Sequence, residues 1–197
     1  WAKTNGRIRG MKVHVLYDPA ADHPRIIDIT DANVNDAPIG REIGRTIDIV
    51  TNATYVFDKG YCHYGWWAAI AAARAFFVTR PKTNMKLEVV RRRRLKSAVG
   101  EDCIILADEE VRLASKGDSK LDIALRRITL RRDDGKQMCL ITNDLARSAV
   151  EVAALYRGRW QIELLFRWTK QHLKIRSFLG RNANAVRLQL LAERVGA

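Results

Sequence analysis

The sequence has few of the residues that build disulfide-bonded or zinc-stabilised domains. Its 197 residues include three cysteines and four histidines, and no two cysteines form a C-x-x-C pair. An odd number of widely spaced thiols argues against a disulfide framework, and histidines without ligand spacing argue against a structural zinc site. We therefore expect reduced thiols and no histidine-based metal site.

Long apolar runs are also missing. No segment approaches the roughly 20 apolar residues that a bilayer-spanning helix needs, and no signal-peptide pattern opens the sequence. Because 47% of the residues are hydrophobic, the chain can bury a sizeable core. These features predict a globular, cytoplasmic protein without a membrane partner. Since Trp1 is no initiator and Leu188–Ala197 ends without a helix cap, we also expect a fragment.

Acidic residues are scarce in two windows. Residues 74–96 contain nine Lys or Arg against Glu88 alone, and residues 157–176 contain six against Glu163 alone. The excesses of eight and five equal the whole net charge of +13, so the rest of the chain is balanced. Two concentrated basic surfaces indicate a polyanion such as DNA, although a hydrated arginine-rich loop gives the same pattern.

The first half of the chain predicts a hairpin, a helix and then a crossover. Met11–Tyr17 and Ile26–Thr30 are typical of two strands joined by a loop of about eight residues, and isoleucines at helical spacing follow from Ile39. Tyr55–Phe57 predicts a buried strand, Trp66–Ala73 a helix and Phe76–Thr79 a second strand parallel to the first. Asp58 then lies at the carboxyl end of a strand, where side chains face the open crevice. We expect Gly60 to allow a sharp turn there.

The segment 81–143 has short strand patterns that indicate a β-rich insertion. The candidate strands are Cys103–Leu106, Val111–Ala114, Ala124–Arg131 and Gln137–Thr142. We expect one core domain whose first part is 1–80 and whose C-terminal helices are 144–197. The Ser148-x-x-Glu151 capping box starts the final helical region, which we expect to reach about His172.

One face of that final helix carries a carboxylate among cations. On an ideal helix six residues fall within a stripe about 80° wide: Tyr156, Arg159, Glu163, Arg167, Lys170 and Lys174. A hydrated amphipathic helix would mix its charges, whereas a lone acid among cations suits a metal ligand beside phosphate-binding groups. Gly158 is the weak point, because glycine costs about 1 kcal/mol in a helix interior.

Asp58 and Glu163 together suit metal-dependent phosphodiester cleavage. Such chemistry is well served by two divalent cations about 4 Å apart, held by carboxylates from different elements. Hard oxygen ligands favour Mg²⁺ or Mn²⁺. Two acids are too few for two metals, so a third carboxylate is required.

These residues resemble the insertion-sequence DDE transposases. Tyr156, Arg159, Glu163 and Lys170 fit the family's Y-x-x-R-x-x-x-E-x-x-x-x-x-x-K signature, and residues 55–61 (YVFDKGY) resemble the segment around its second catalytic aspartate. Four further stretches resemble the family, so that nearly the whole chain is covered: residues 10–14, 29–36, 76–80 and 168–173.

The resemblance implies an α/β fold of the RNase H-like type, a mixed sheet with flanking helices and a β-rich insertion. It implies cleavage at transposon ends and strand transfer into target DNA by a homodimer that uses two Mg²⁺ or Mn²⁺ ions. Asp58 and Glu163 would be catalytic metal ligands, and Tyr156, Arg159 and Lys170 would contact transposon-end DNA. The cationic Arg167, Lys174, Arg91 and Arg92 are further candidates for DNA binding.

The chain departs from the family pattern at the first catalytic aspartate. The resemblance puts this residue, with the central strand of the fold, about a dozen residues before Trp1. Asp18, Asp28 and Asp36 do not replace it, since they match a turn, a strand and a helix cap. We expect the chain alone to be marginally stable and inactive.

Several side chains remain open to two interpretations. Trp66, Trp67, Trp160 and Trp168 could stack on bases, but packing is the more common role. Arg91–Arg94 could form a DNA-contacting loop or a hydrated one. Cys62 and His63 lack a third partner for a nucleophilic dyad. Alternative functions are an inactive DNA-binding remnant of a transposase and an RNase H-like nuclease without strand transfer.

Overall fold

The computed structural model describes most of the chain between residues 11 and 172. The described residues are 11–21, 23–31, 33, 34, 36, 38, 39, 42, 48–95, 98–114, 121 and 123–172, with the side chains of 11, 31 and 168–172 excepted. They divide into two compact units, one of residues 1–34 and 160–197 and one of residues 35–159. No helix in the described part is long and apolar enough to cross a membrane.

The first unit contains an antiparallel hairpin and a helix. Strands β1 (Met11–Asp18) and β2 (His23–Asp31) pair with a bulge between Leu16 and Tyr17. Both strands are longer than predicted, so the connecting loop is shorter. His14 is buried in this hairpin, and its Nε2 lies 2.8 Å from the Thr30 hydroxyl. Helix α3 (Trp160–His172) belongs to the same unit.

The second unit is built on a six-stranded mixed sheet with the order β3-β4-β8-β7-β6-β5. Its strands are β3 (Thr54–Val56), β4 (Phe76–Thr79), β5 (Leu87–Arg92), β6 (Cys103–Leu113), β7 (Leu125–Arg132) and β8 (Gln137–Thr142). Helix α1 (Tyr64–Ala72) connects β3 to β4, which run parallel as predicted, while every other neighbouring pair is antiparallel.

Alternating side chains place one helix on each face of this sheet. Phe77 and Ile141 pack with Trp66, Trp67 and Ile70 on the α1 side. The next residues along the same strands, Val78 and Leu140, instead belong to the cluster that includes Val152 and Tyr156 of helix α2 (Ala149–Gly158). This two-residue period follows from the pleat of a strand. The predicted α/β class with a mixed sheet and flanking helices is confirmed.

Three local predictions were wrong. Two predicted strands, Cys103–Leu106 and Val111–Ala114, are parts of the single strand β6. Arg91 and Arg92 lie in β5 rather than in a loop. The final helix is two helices, because α2 ends at Gly158 and α3 begins at Trp160.

The tryptophans differ in their burial. Trp66 and Trp67 are buried as predicted, whereas Trp160 is 49% exposed and so is not the packing residue we expected. The side chain of Trp168 lies outside the described residues, as does most of the helix predicted from Ile39.

The strands of segment 81–143 form, and β8 pairs with β4 in one continuous sheet. The domain boundaries stay a prediction.

Candidate active site

Asp58 lies just past the end of a parallel strand. β3 ends at Val56, and the Phe57 amide still donates to the Val78 carbonyl of β4 at 3.2 Å. Asp58 then caps a 3-10 helix, η1 (Lys59–Tyr61), by accepting a hydrogen bond from the Lys59 amide at 2.8 Å. The carboxylate is therefore held at the carboxyl end of the strand, the position at which α/β sheets bind ligands.

Arg80 holds the same carboxylate oxygen from the neighbouring strand. Its Nη2 donates to Asp58 Oδ1 at 3.2 Å, and the two side chains are 39% and 41% exposed. Partial burial alone would raise the pKa of Asp58. The hydrogen bond from Lys59, the charge and hydrogen bond of Arg80 and the charge of Arg159 outweigh burial, and the pKa lies below its usual value. Asp58 is thus an anion at neutral pH.

Gly60 lies close to the side chain of Asp36. A Cβ at this position would lie 2.7 Å from Asp36 Oδ2. The φ angle of Gly60 is not positive, so the backbone conformation itself does not call for glycine. The predicted role of Gly60 in a sharp turn is therefore replaced by one in packing against Asp36. The pKa of the neighbouring Tyr61 is raised to about 12 by burial and by the charges of Asp36 and Asp58.

Tyr156 and Arg159 belong to the electrostatic surroundings of Asp58. Tyr156 is buried near the end of α2, and the Arg159 guanidinium carbon lies 5.7 Å from the centre of its ring. Burial is the main cause that raises the pKa of Tyr156, and the charges of Arg80, Asp58 and Arg159 also act on it. Half of the four-residue signature is thus gathered around Asp58 within one unit.

The other half of the signature lies in α3. Glu163 is half-buried in the first turn of this helix, and Arg167 is exposed one turn later. Lys170 is described only by its backbone, and Lys174 lies outside the described residues. α2 ends at Gly158 and α3 begins at Trp160, so the residues of the predicted stripe lie on two helices, and the continuous stripe stays a prediction.

Arg91 and Arg92 have acidic neighbours that the sequence window did not contain. Arg91 donates to Glu110 at 2.5 Å, and Arg92 lies 3.7 Å from Glu109, both on the adjacent strand β6. Arg93 also bonds Glu110, at 3.1 Å. The cationic excess counted along residues 74–96 is therefore partly neutralised across the sheet.

Sequence reasoning missed the contact of Arg80 with Asp58 and the approach of Asp36 to Gly60. Arg80 had a usable signal, since it follows a strand parallel to the one that Asp58 follows. Asp36 had none, because its approach to Gly60 depends on tertiary packing. The Cys62 thiol is buried 3.4 Å from the Thr79 hydroxyl, and burial raises its pKa, which disfavours the thiolate that a nucleophile needs.

The described structure thus has a carboxylate at a strand end, a mixed sheet and a Tyr-Arg pair, and comparison with known proteins identifies the family. The model of the family described as "Transposase DDE domain" matches residues 1–193, and the chain belongs to this family.

Two curated relatives cover nearly the whole chain. "Putative transposase y4zB" of Sinorhizobium fredii is 70% identical over 192 residues, which are 98% of this chain and 53% of the relative. "Probable transposase for insertion sequence element IS5377" of Geobacillus stearothermophilus is 29% identical over 195 residues, 98% of this chain and 49% of the relative. The chain thus spans about half the length of the curated relatives it matches.

Among solved structures, the chain is similar to a piggyBac transposase in a synaptic complex with hairpin DNA. The TM-score is 0.49 at 10% identity, and the match covers 95% of this chain and 39% of that one.

Proposed function

We propose that the chain is the catalytic domain of a DNA transposase, which cleaves phosphodiester bonds at transposon ends and transfers the cut strand into target DNA. The observation that supports this most directly is the environment of Asp58. Its carboxylate is ionised, and its Oδ1 is held by Lys59 and Arg80. Its Oδ2 accepts no hydrogen bond from any described residue, which leaves that atom available to a cation.

A divalent cation fits this arrangement in part. Ionised carboxylate oxygen is the ligand that Mg²⁺ and Mn²⁺ prefer, and Asp58 offers one such atom on a rigid strand end. The described residues contain no group of three or more potential ligands. We propose Asp58 and Glu163 as two of the ligands. When bound, the metal would activate the attacking oxygen and stabilise the leaving oxygen.

Residues of the signature and neighbouring cations are proposed to bind DNA. Tyr156 and Arg159 would contact transposon-end DNA near the cleaved phosphate, together with Arg167, Lys170 and Lys174 of the last helical region. Arg91 and Arg92 would add a weaker contact, because Glu110 and Glu109 already neutralise part of their charge. The proposed setting is the bacterial cytoplasm, with a homodimer assembled on DNA.

Cleavage of end-labelled DNA tests this proposal. The protein encoded by the whole reading frame that contains this chain is incubated with Mg²⁺ and DNA carrying the ends of its element. Glu163→Gln should abolish cleavage while leaving DNA binding intact, since glutamine keeps the shape of the side chain and loses the charge. The matched control is Glu88→Gln, at an exposed glutamate of β5 that pairs with Arg112 on the surface.

Other outcomes distinguish the alternatives. Cutting without any joined product would favour an RNase H-like nuclease, and binding without cutting by the unaltered protein would favour an inactive remnant. Near wild-type cutting by Glu163→Gln would refute the metal-ligand role of Glu163. Lys170→Ala should reduce the salt dependence of binding by about one phosphate contact.

A further inference from the structure

A small cationic cavity lies beside the proposed catalytic strand end. It has a volume of about 290 Å³, just below the roughly 300–1,000 Å³ of typical small-molecule pockets. Its lining contains four cations and an apolar part formed by Pro81, Met138 and Cys139. The cations are Lys59, Arg80, Arg132 and Lys136.

The sheet topology explains why these residues meet. Lys59 follows β3 and Arg80 follows β4, so both lie where two parallel strands end. β8 runs antiparallel to β4, and its pairing of Ile141 with Thr79 brings the start of β8 to the same edge. The β7-β8 turn then carries Arg132 and Lys136, whose backbones hydrogen-bond each other at 3.0 Å.

The acids near the cavity do not cancel its charge. Arg80 bonds Asp58 at 3.2 Å, and Arg132 lies 3.5 Å from Asp134. Lys59 and Lys136 form no ion pair with any residue that the structure describes. The Nε of Arg80 is buried without a hydrogen-bond partner in the described part of the chain.

We propose that this cavity binds a backbone phosphate of the DNA strand that passes Asp58. Four cationic side chains around a small recess suit a phosphodiester, whose charge they would neutralise with release of counterions. Arg80 would then join the phosphate to the carboxylate, because the same guanidinium bonds Asp58. The inference rests on the proposed function and adds a specific contact surface, the β7-β8 turn, to it.

The test measures the salt dependence of DNA binding without divalent metal. Fluorescence anisotropy of a labelled duplex carrying the element's end is recorded over a range of potassium chloride, with chelator present, on the protein from the whole reading frame. Arg132→Ala combined with Lys136→Ala should lower the slope of log affinity against log salt by about one, the value for one phosphate that is no longer neutralised. Both side chains lie at an exposed turn, and circular dichroism checks the fold of the variant.

Arg131→Ala is the matched control. Arg131 precedes Arg132 in the same strand and is exposed, but it does not line the cavity. It should leave the slope unchanged, and an equal fall with this variant would overturn the inference in favour of general surface charge. An unchanged slope in the Arg132→Ala, Lys136→Ala variant would also overturn it.

The two proposals fail in distinguishable ways. If the unaltered protein cuts DNA while the double variant keeps its slope, the phosphate site is refuted and the transposase function stands. If the unaltered protein binds no DNA, both are refuted. The chelator keeps the result independent of the metal site.

Discussion

Replacing Arg126 with methionine should strongly destabilise the second unit. The Arg126 side chain is 2% exposed and bonds Asp108, which is 6% exposed, through two hydrogen bonds of 2.7 Å. Its Nη1 also donates to the carbonyls of Asp144 and Arg147 at 3.1 and 2.7 Å. Methionine would leave a buried carboxylate and two carbonyls without these donors.

The expected loss is about 3–5 kcal/mol of unfolding free energy, the usual cost of breaking a buried ion pair from one side. Arg93 stays 3.7 Å from Asp108 and limits the loss to this range. Arg112→Met is the control: Arg112 pairs with Glu88 at 2.8 Å on the same sheet, but the side chains are 73% and 52% exposed. It should cost about 0–1 kcal/mol.

Urea unfolding followed by tryptophan fluorescence measures both variants, because Trp66 and Trp67 are buried in the second unit. Combining Arg126→Met with Asp108→Leu should recover much of the loss, since two apolar residues often replace a buried pair at little cost. If Arg126→Met were no more destabilising than Arg112→Met, the reasoning on burial would be refuted.

Two further predictions concern Gly60 and the start of α2. Gly60→Ala should reduce both thermal stability and DNA cleavage, because the new Cβ would lie 2.7 Å from Asp36. Gly158→Ala is the control: a Cβ there meets nothing within 4 Å, so stability should stay equal or rise by up to about 1 kcal/mol. Equal effects of the two variants in a thermal melt would refute this prediction. Ser148→Ala should cost about 1 kcal/mol. The hydrogen bonds from Ser148 lower the pKa of Glu151. The contribution of the Glu151 carboxylate to folding stability is therefore present above its ordinary pKa of 4.5 and is lost as the solution becomes more acidic. Glu151→Gln should flatten this pH dependence of urea unfolding, and an unchanged profile would contradict the reasoning.

Local signals were sufficient for the strand-helix-strand unit that carries Asp58. The buried run before Asp58, the helix with Trp66 and Trp67, and the strand that ends at Thr79 are each encoded by neighbouring residues. The parallel pairing then followed from the right-handed crossover rule. The break between α2 and α3 also had a local signal in Gly158, although the sequence alone could not decide between a weak point and an end.

Ion pairs between neighbouring strands could not be predicted from local sequence. The acidic residues Asp108–Glu110 lie between the two strands predicted at Cys103–Leu106 and Val111–Ala114, and unpaired acids are costly to bury. Asp108 and Glu109 are nevertheless buried, since Arg126 and Arg127 of β7 bond them. These contacts join residues 18 positions apart. A count of charges along the chain cannot show them.

The same limit applies to the candidate site. The carboxylate Asp58 and the Tyr156-Arg159 pair were predicted from position and resemblance, but the contact between Arg80 and Asp58 spans 22 positions and depends on the pairing of β3 with β4. The proposed role of Glu163 rests on the signature and on its place as the one acid among the cations of residues 157–176.

The most direct test of the central claim exchanges the ligand atom of Asp58. Asp58→Cys replaces a hard carboxylate oxygen by a softer thiolate, which binds Mg²⁺ poorly and Mn²⁺ better. In the protein from the whole reading frame, the variant should bind end DNA, fail to cut it in Mg²⁺ and regain cutting in Mn²⁺. Full cutting in Mg²⁺, or equal failure in both metals with DNA binding retained, would contradict the proposal that Asp58 holds a catalytic metal.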